Sequence, residues 1–192
     1  MSTPLEARTA TIEDLAALLK QQQRDKVDIV SPFENLTMVN GLARIAGTSV
    51  FSDGDLYRPT AIAEGHLADK LGIPIAYLRT LREQRLDLYD ANVNGWIHGG
   101  HVDLSRTGSV EDPIVIGPDP RVVTIRTFVG EPGGVGVLRA VLSDRRLFID
   151  NFDVLLALLE GIEKAGTPVP VVNCSLSETR MVVKIAAPEI FD

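Results

Sequence analysis

Cysteine is almost missing from this 192-residue chain: Cys174 stands alone, so no disulfide can form within it and a reducing compartment is the expectation. Aromatic residues make up only 5% of the sequence, which leaves a core to be built mainly from aliphatic side chains. No run approaches the roughly 20 apolar residues of a membrane-spanning helix. The first thirty residues hold no apolar stretch of signal-peptide length, because Glu6, Glu13, Asp14 and Asp25 interrupt them. These absences point to a reducing cytoplasm and no membrane partner. Positive charge is also scarce: 19 lysines and arginines face 26 acids, a net charge of −7. A generic nucleic-acid-coating protein is not built this way, since phosphate contacts need local cations.

Chemical signatures are equally thin. Gly130–Gly136 lacks the Gly-Lys-Ser/Thr of a phosphate-binding loop and feeds a β-rich run, which makes it a hairpin tip. His98 and His101 frame a His-Gly-Gly-His loop with no cysteine nearby, too little for a zinc site. His66 sits on a helical face, and Cys174 in a β-rich run where packing is the plain reading. There is no dinucleotide fingerprint, no Ser-His-Asp logic and no close acidic pair in a catalytic setting. The expectation is a protein without enzymatic activity, cofactor or metal.

What is present is an arginine concentration that runs against the global charge. Between residues 121 and 146 five arginines meet two acids, whereas every other segment is net negative. The stretch reads as a strand over Val122–Val129, a glycine-rich tip, a strand over Val135–Ser143 and a basic loop, Ser143-Asp144-Arg145-Arg146. A helix follows, with Phe152, Leu155, Leu156, Leu159 and Ile162 on one face, stopped by Gly166 and Pro168. Two further strands are expected over Val169–Ser175 and Glu178–Ala187. Because strand side chains alternate, Arg126, Arg139, Arg180 and Lys184 are assigned to the open face of one sheet whose aliphatic face packs on helix 151–165. Arg145 and Arg146 add a phosphate clamp at its edge. The competing reading is a solvated face with cross-strand ion pairs.

The first 110 residues read as mostly helical. Thr11 and Asp14 form a capping box for an amphipathic helix running to about Arg24. Residues 1–10 read as a loose leader, Lys26–Pro32 as a connector and residues 36–51 as one or two short strands. Thr60 caps a helix ending at Gly72, and a second runs from about Pro74 to Arg85 with Tyr77, Leu78 and Leu81 inward. Arg79, Arg82 and Arg85 fall near one face of this second helix, in a helix-turn-helix-like context that suits duplex contacts; a plain helical hairpin is the alternative. A short turn over Leu86–Val93 and a long loop over residues 98–120 complete this half. The expected fold is α+β: a helical N-terminal region, 1–110, and a hairpin–helix–hairpin core, 111–192, with a small, mainly antiparallel sheet of about four strands on one long helix.

The segments LADKLGIPIAYLRTL, DLYDANVNGWI, IRTFVG, LRAVLSDRRLFIDNFDVLLALL and SETRMVVKIAAPE occur in this order. Together, over roughly residues 55–190, they resemble the domain-of-unknown-function family nine hundred and thirty-two, found in phages, plasmids and actinobacteria. That resemblance implies a distant relation to single-strand annealing proteins of the Red-beta kind, which form rings and hold single-stranded DNA against a basic groove. It implies a non-enzymatic phage or plasmid protein that binds single-stranded nucleic acid, in recombination or annealing, with homo-oligomers or a host protein as further partners. Family members usually carry an aromatic where Arg146 stands here, and continue beyond the position of Asp192 into an Asn-, Ser- and Glu-rich segment. A protein–protein or self-assembling module and a helix-turn-helix duplex binder are the two other expectations.

Overall fold

In the computed structural model, residues 5–47, 56–100, 114–131, 133–145, 149–166 and 170–186 are described. They form five α-helices and two sheets, of six and three strands, divided between two compact units. The α+β class holds. The small four-stranded sheet on one long helix does not: the hairpin of residues 122–143 and the strands after residue 170 belong to different sheets in different units.

The first unit spans residues 27–146. Its sheet contains β2 (Lys26–Pro32), β3 (Leu36–Val39), β4 (Leu42–Ile45), β5 (Leu56–Pro59), β6 (Val122–Phe128) and β7 (Gly136–Ser143), in the order β2-β6-β7-β5-β4-β3. All described pairings but β5–β7, which is parallel, are antiparallel. The expected connector at Lys26–Pro32 is therefore a strand, recruited by pairing with β6, some hundred residues away, which local propensity does not report. One face carries Leu36, Met38, Ala43, Ile45, Tyr57, Val123, Ile125, Leu138 and Val141. These pack on α2 (Ala61–Leu71), α3 (Ile75–Gln84) and α4 (Leu86–His98) in one core.

The helix boundaries follow elementary capping chemistry. Thr60 starts α2: its Oγ1 accepts the Ala63 N–H at 3.2 Å. Gly72 closes it at φ +67°, in the left-handed region that favours glycine. In α3, Leu78 and Leu81 face inward as expected, but Tyr77 is half exposed. The third helix is longer than the short turn expected, and its stripe Asp90, Asn94, His98 explains why. These side chains, spaced four apart, line the sheet's β3 edge. Asp90 accepts the Gly41 N–H at 3.0 Å, and His98 Nε2 lies 3.2 Å from Thr37 Oγ1. Asn94 accepts the Met38 N–H at 2.7 Å and donates to its carbonyl at 2.8 Å, taking the place of a neighbouring strand. Asn94→Leu is expected to cost about 2 kcal/mol in equilibrium unfolding, because both Met38 groups lose their partner. A loss below about 0.5 kcal/mol would mean that water or another group serves them equally well.

The second unit combines residues 2–26 and 147–192. Its sheet has the order β1-β8-β9, with β1 (Ala7–Ala10), β8 (Val171–Leu176) and β9 (Met181–Ile185) antiparallel throughout. The expected loose leader thus contains a strand, held by β8. Two helices, α1 (Ile12–Asp25) and α5 (Asn151–Ala165), share its core of Leu15, Leu18, Leu19, Leu155, Cys174 and Leu176. The Thr11–Asp14 capping box is formed, at 3.1 and 3.3 Å. Asp150 is the N-cap of α5, and its carboxylate turns to Lys26. The chain does not part near residue 110. Instead, residues 2–26 and 147–192 form one unit and residues 27–146 the other.

Candidate nucleic-acid interface

Pairing registers show how the arginines of the first unit are arranged. In β6, Val123 and Ile125 point into the helical core, so Thr124 and Arg126 face the other way. In β7, Leu138 and Val141 both point into the core, with two residues between them instead of one. The register shift accounts for this: Arg126 pairs with Ala140, and Thr127 with Leu138. This bulge turns Arg139 and Ala140 together onto the face away from the helices. Thr60 fastens it, its N–H donating to the Leu138 carbonyl at 3.0 Å and its hydroxyl to the Arg139 carbonyl at 3.3 Å. In β5, Tyr57 and Pro59 are buried and Arg58 is exposed; in β4, Ala43 and Ile45 are buried and Arg44 is exposed.

Four adjacent strands therefore each carry one arginine on the face opposite the helices. Arg44 lies opposite Leu56, two residues before Arg58. Arg58 lies opposite Val137, two residues before Arg139. Arg126 lies opposite Ala140, the next residue on β7. The result is a diagonal, Arg44–Arg58–Arg139–Arg126, whose first two steps are about 7–8 Å, the separation of diagonal cross-strand neighbours. Its whole length is roughly 20 Å, from three strand spacings and five residues of rise.

The two ends differ. Arg44 and Arg58 are exposed and form no ion pair or side-chain hydrogen bond among the described residues. Arg126 is not open: its Nε and Nη2 donate to Asp28 Oδ1 and Oδ2 on β2, both at 2.7 Å, and its side chain is only 14% exposed. Around it Thr124, Phe128 and Ala140 are buried. Arg139 is half-buried.

The cations named from sequence thus fall into separate places. Arg126 and Arg139 share a face, as expected. Arg180 and Lys184 do not join them: they are exposed on the second unit, at the start of and within β9. Arg145 is exposed in the turn after β7, where its N–H donates to Ser143 Oγ at 3.3 Å. Arg146 and His101 lie outside the described residues. The arginines expected to read duplex DNA are engaged within the fold. Arg82 is hydrogen-bonded to the buried Glu64 and, at 3.3 Å, to the Pro59 carbonyl; Arg79 Nε lies 3.9 Å from the same carboxylate. Arg85 forks onto Asp87 at 2.9 and 2.7 Å, which holds that carboxyl below its ordinary range. Arg121 is bonded to Asp119 and to the Lys70 carbonyl, over the Phe33 ring.

The remaining candidates are structural in their surroundings. His66 Nδ1 accepts the Val141 N–H at 3.4 Å. Cys174 is buried, and burial, with Glu13 adding to it, raises its thiol pKa. Beside Glu64, the Tyr89 hydroxyl is fully buried without a hydrogen-bond partner, and desolvation first, then the Glu64 charge, pushes its pKa well up. Among the described residues no His, Cys, Asp and Glu group is placed to hold a metal ion, and no helix is long and apolar enough to cross a membrane.

Sequence reasoning missed Arg44 and Arg58. The alternation within Leu42–Ile45 and Leu56–Pro59 puts both on the polar side of their strands, but nothing local says that these strands lie beside β7. No family model, no curated protein and no solved structure matches the chain.

Proposed function

We propose that the chain binds a polyanion, single-stranded nucleic acid foremost, across the outer face of the six-stranded sheet, without catalysing a reaction. The observation that carries this reading is the diagonal of arginines. In a protein of net charge −7, four adjacent strands each place a guanidinium on the face opposite α2, α3 and α4, and the β4 and β5 end of that row is exposed. Arg44 and Arg58, the exposed members, supply the phosphate contacts; Arg139 is half-buried and already engaged within the fold, and Arg145 lies exposed beyond the end of β7. Guanidinium forks suit phosphate oxygens, and side chains on a pleated surface hold their spacing while a flexible strand adapts to it. The resemblance to a phage and plasmid family, and through it to annealing proteins, supports the single-stranded ligand.

Titrating a labelled thirty-nucleotide oligothymidine against the protein tests this. Two phosphate contacts predict that log K falls with log salt at a slope of about −1.4. Arg44→Ala and Arg58→Ala are each expected to flatten that slope by about 0.7 without loss of fold. Absence of salt-dependent binding at about 50 mM salt would overturn the proposal.

The second reading, a protein–protein or self-assembling module, draws on the second unit. There Val154 and Leu156 on α5, and Val172 and Ile185 on the sheet, are 43–67% exposed. Sizing before and after nuclease treatment separates the two: a nucleic-acid complex shifts, a protein assembly does not. The duplex-binding alternative has little left to work with on α3, since Glu64 and Asp87 engage its cations.

A further inference from the structure

The second unit separates its charges between its two layers. Helices α1 and α5 hold twice as many acids as bases, whereas strands β1, β8 and β9 hold Arg8 and Lys184 and no acid. Cys174 and Leu176 point from β8 into the helical core, so Asn173 and Ser175 face the other way. The register places Asn173 opposite Lys184, and Ser175 opposite Val182. Arg180, just before β9, shares their side by the same alternation. Its backbone is fixed: Ser177 Oγ accepts its N–H at 3.1 Å and donates to its carbonyl at 3.3 Å. Arg180 and Lys184 are exposed, and Asn173 and Ser175 are half-buried. None of these four side chains forms a hydrogen bond or ion pair among the described residues. Two acids border the face: Glu6, 4.0 Å from Arg8 at the β1 edge, and Glu178, already engaged, in the turn before Arg180.

We propose that this outer face of the three-stranded sheet is a second surface for a phosphodiester chain, with Arg180 and Lys184 as its phosphate contacts and Asn173 and Ser175 as neutral hydrogen-bond donors. It stands on residues of the second unit alone and goes beyond the reading given to Arg44 and Arg58. The two cations are four residues apart, about 13 Å along the strand. That separation is too great for one phosphate group and suits two members of a chain. Asn173 and Ser175 lie one strand away, about 5 Å, where an amide and a hydroxyl reach the oxygens in between. Phosphate oxygens accept from such neutral side chains as well as from cations. Arg8, on the far side of β8, is shared with Glu6 and is not counted as a contact.

The test is oligothymidine binding by Arg44→Ala/Arg58→Ala, a variant that keeps only the second face. It is expected to bind at about 50 mM salt with a slope of about −1.4, from two contacts. Adding Arg180→Ala/Lys184→Ala should abolish that binding, and adding Arg180→Lys/Lys184→Arg should preserve it. Adding Ser175→Asp should weaken it roughly tenfold, by setting a carboxylate between the cations. Asn173→Asp serves as a second variant should Ser175→Asp disturb β8, and circular dichroism checks the fold of each. Conversely, Arg180→Ala/Lys184→Ala alone isolates the six-stranded face and should show the slope of about −1.4 assigned to Arg44 and Arg58. Loss of all binding in Arg44→Ala/Arg58→Ala, while the wild type binds, overturns this inference and spares the reading of the six-stranded sheet. Binding that survives the further loss of Arg180 and Lys184 overturns it as well. Binding by Arg44→Ala/Arg58→Ala with none by Arg180→Ala/Lys184→Ala supports this inference and overturns the other reading. Absence of binding by every protein overturns both. Displacement by polyglutamate as effective as by unlabelled oligothymidine overturns the phosphate assignment in favour of an acidic protein partner.

Discussion

Arg82→Ala is expected to lower the unfolding free energy by about 3 kcal/mol, measured by equilibrium denaturation, while leaving oligonucleotide binding by the surviving folded protein unchanged. The reason is the position of Glu64. It belongs to α2 but is 5% exposed, packed between α2 and α3, and Arg82 satisfies it from α3 while also bonding the Pro59 carbonyl. Removing the guanidinium leaves a buried carboxylate without its main counter-charge. Arg79 Nε, 3.9 Å away, and the unpartnered Tyr89 hydroxyl nearby can recover only part of the loss. Arg82→Leu combined with Glu64→Leu should regain most of the stability, since replacing a buried pair by apolar groups of similar size is often nearly neutral. This result separates two roles for α3. If Arg82 instead contacts duplex DNA, Arg82→Ala abolishes binding and costs under about 0.5 kcal/mol of stability, as a surface substitution would. That outcome would sink the structural role assigned here.

The second large effect is expected at the end of α4. Gly99→Ala should destabilise the first unit by about 4 kcal/mol, summing backbone strain and a steric clash each of about 1–3 kcal/mol. Gly99 has φ +75° and ψ −153°, a region that side chains exclude. A Cβ there would also stand 2.4 Å from the Gly117 carbonyl carbon and oxygen and 2.5 Å from the Ile116 oxygen, all main-chain atoms that cannot rotate away. The crossing is tight because the two segments are hydrogen-bonded: Gly100 N–H to the Ile116 carbonyl and Asp119 N–H to the Ile97 carbonyl, both at 2.8 Å. Gly100 is the internal control. Its φ is +88°, but nothing lies within 4 Å of its would-be Cβ, so Gly100→Ala should cost only about 1 kcal/mol. Equal costs for the two variants would show that the segments separate freely and that the close approach contributes nothing.

Gly99 belongs to the His-Gly-Gly-His segment, where the sequence suggested a loop without metal. The glycine has a backbone reason to be there, and His98 completes the stripe that borders β3. Neither role is visible from the four residues alone, since both depend on segments distant in the chain. The hairpin of β6 and β7, the caps at Thr11 and Thr60, and the Gly72 helix stop were legible because each is decided within a few residues. The strands β1 and β2 were not. Ala7–Ala10 and Lys26–Pro32 carry no strong alternation, and they are strands only because β8 and β6 offer them hydrogen-bonding edges.

The candidate site divides along the same line. That Arg126 would share a face with Thr124 and oppose Ile125 follows from the pleat of one strand. That Arg139 would share that face depends on a bulge, and the addition of Arg58 and Arg44 depends on β5 lying parallel to β7, 79 residues on in the case of Tyr57 and Gly136. The assignment of Arg180 and Lys184 to the same platform failed for the converse reason: β8 and β9 alternate correctly but pair with β1, in another sheet.

Composition and local pattern by themselves determined the α+β class, the capped helices, the central hairpin and the polarity of each strand's two faces. These are short-range properties of backbone dihedrals and side-chain periodicity. Only the tertiary structure decided which strands are neighbours, which arginines align and which are already held by Glu64, Asp87 or Asp28. Strand partnership is chosen by long-range burial and register, and charge pairing by proximity across the fold, neither of which leaves a mark on sequence spacing.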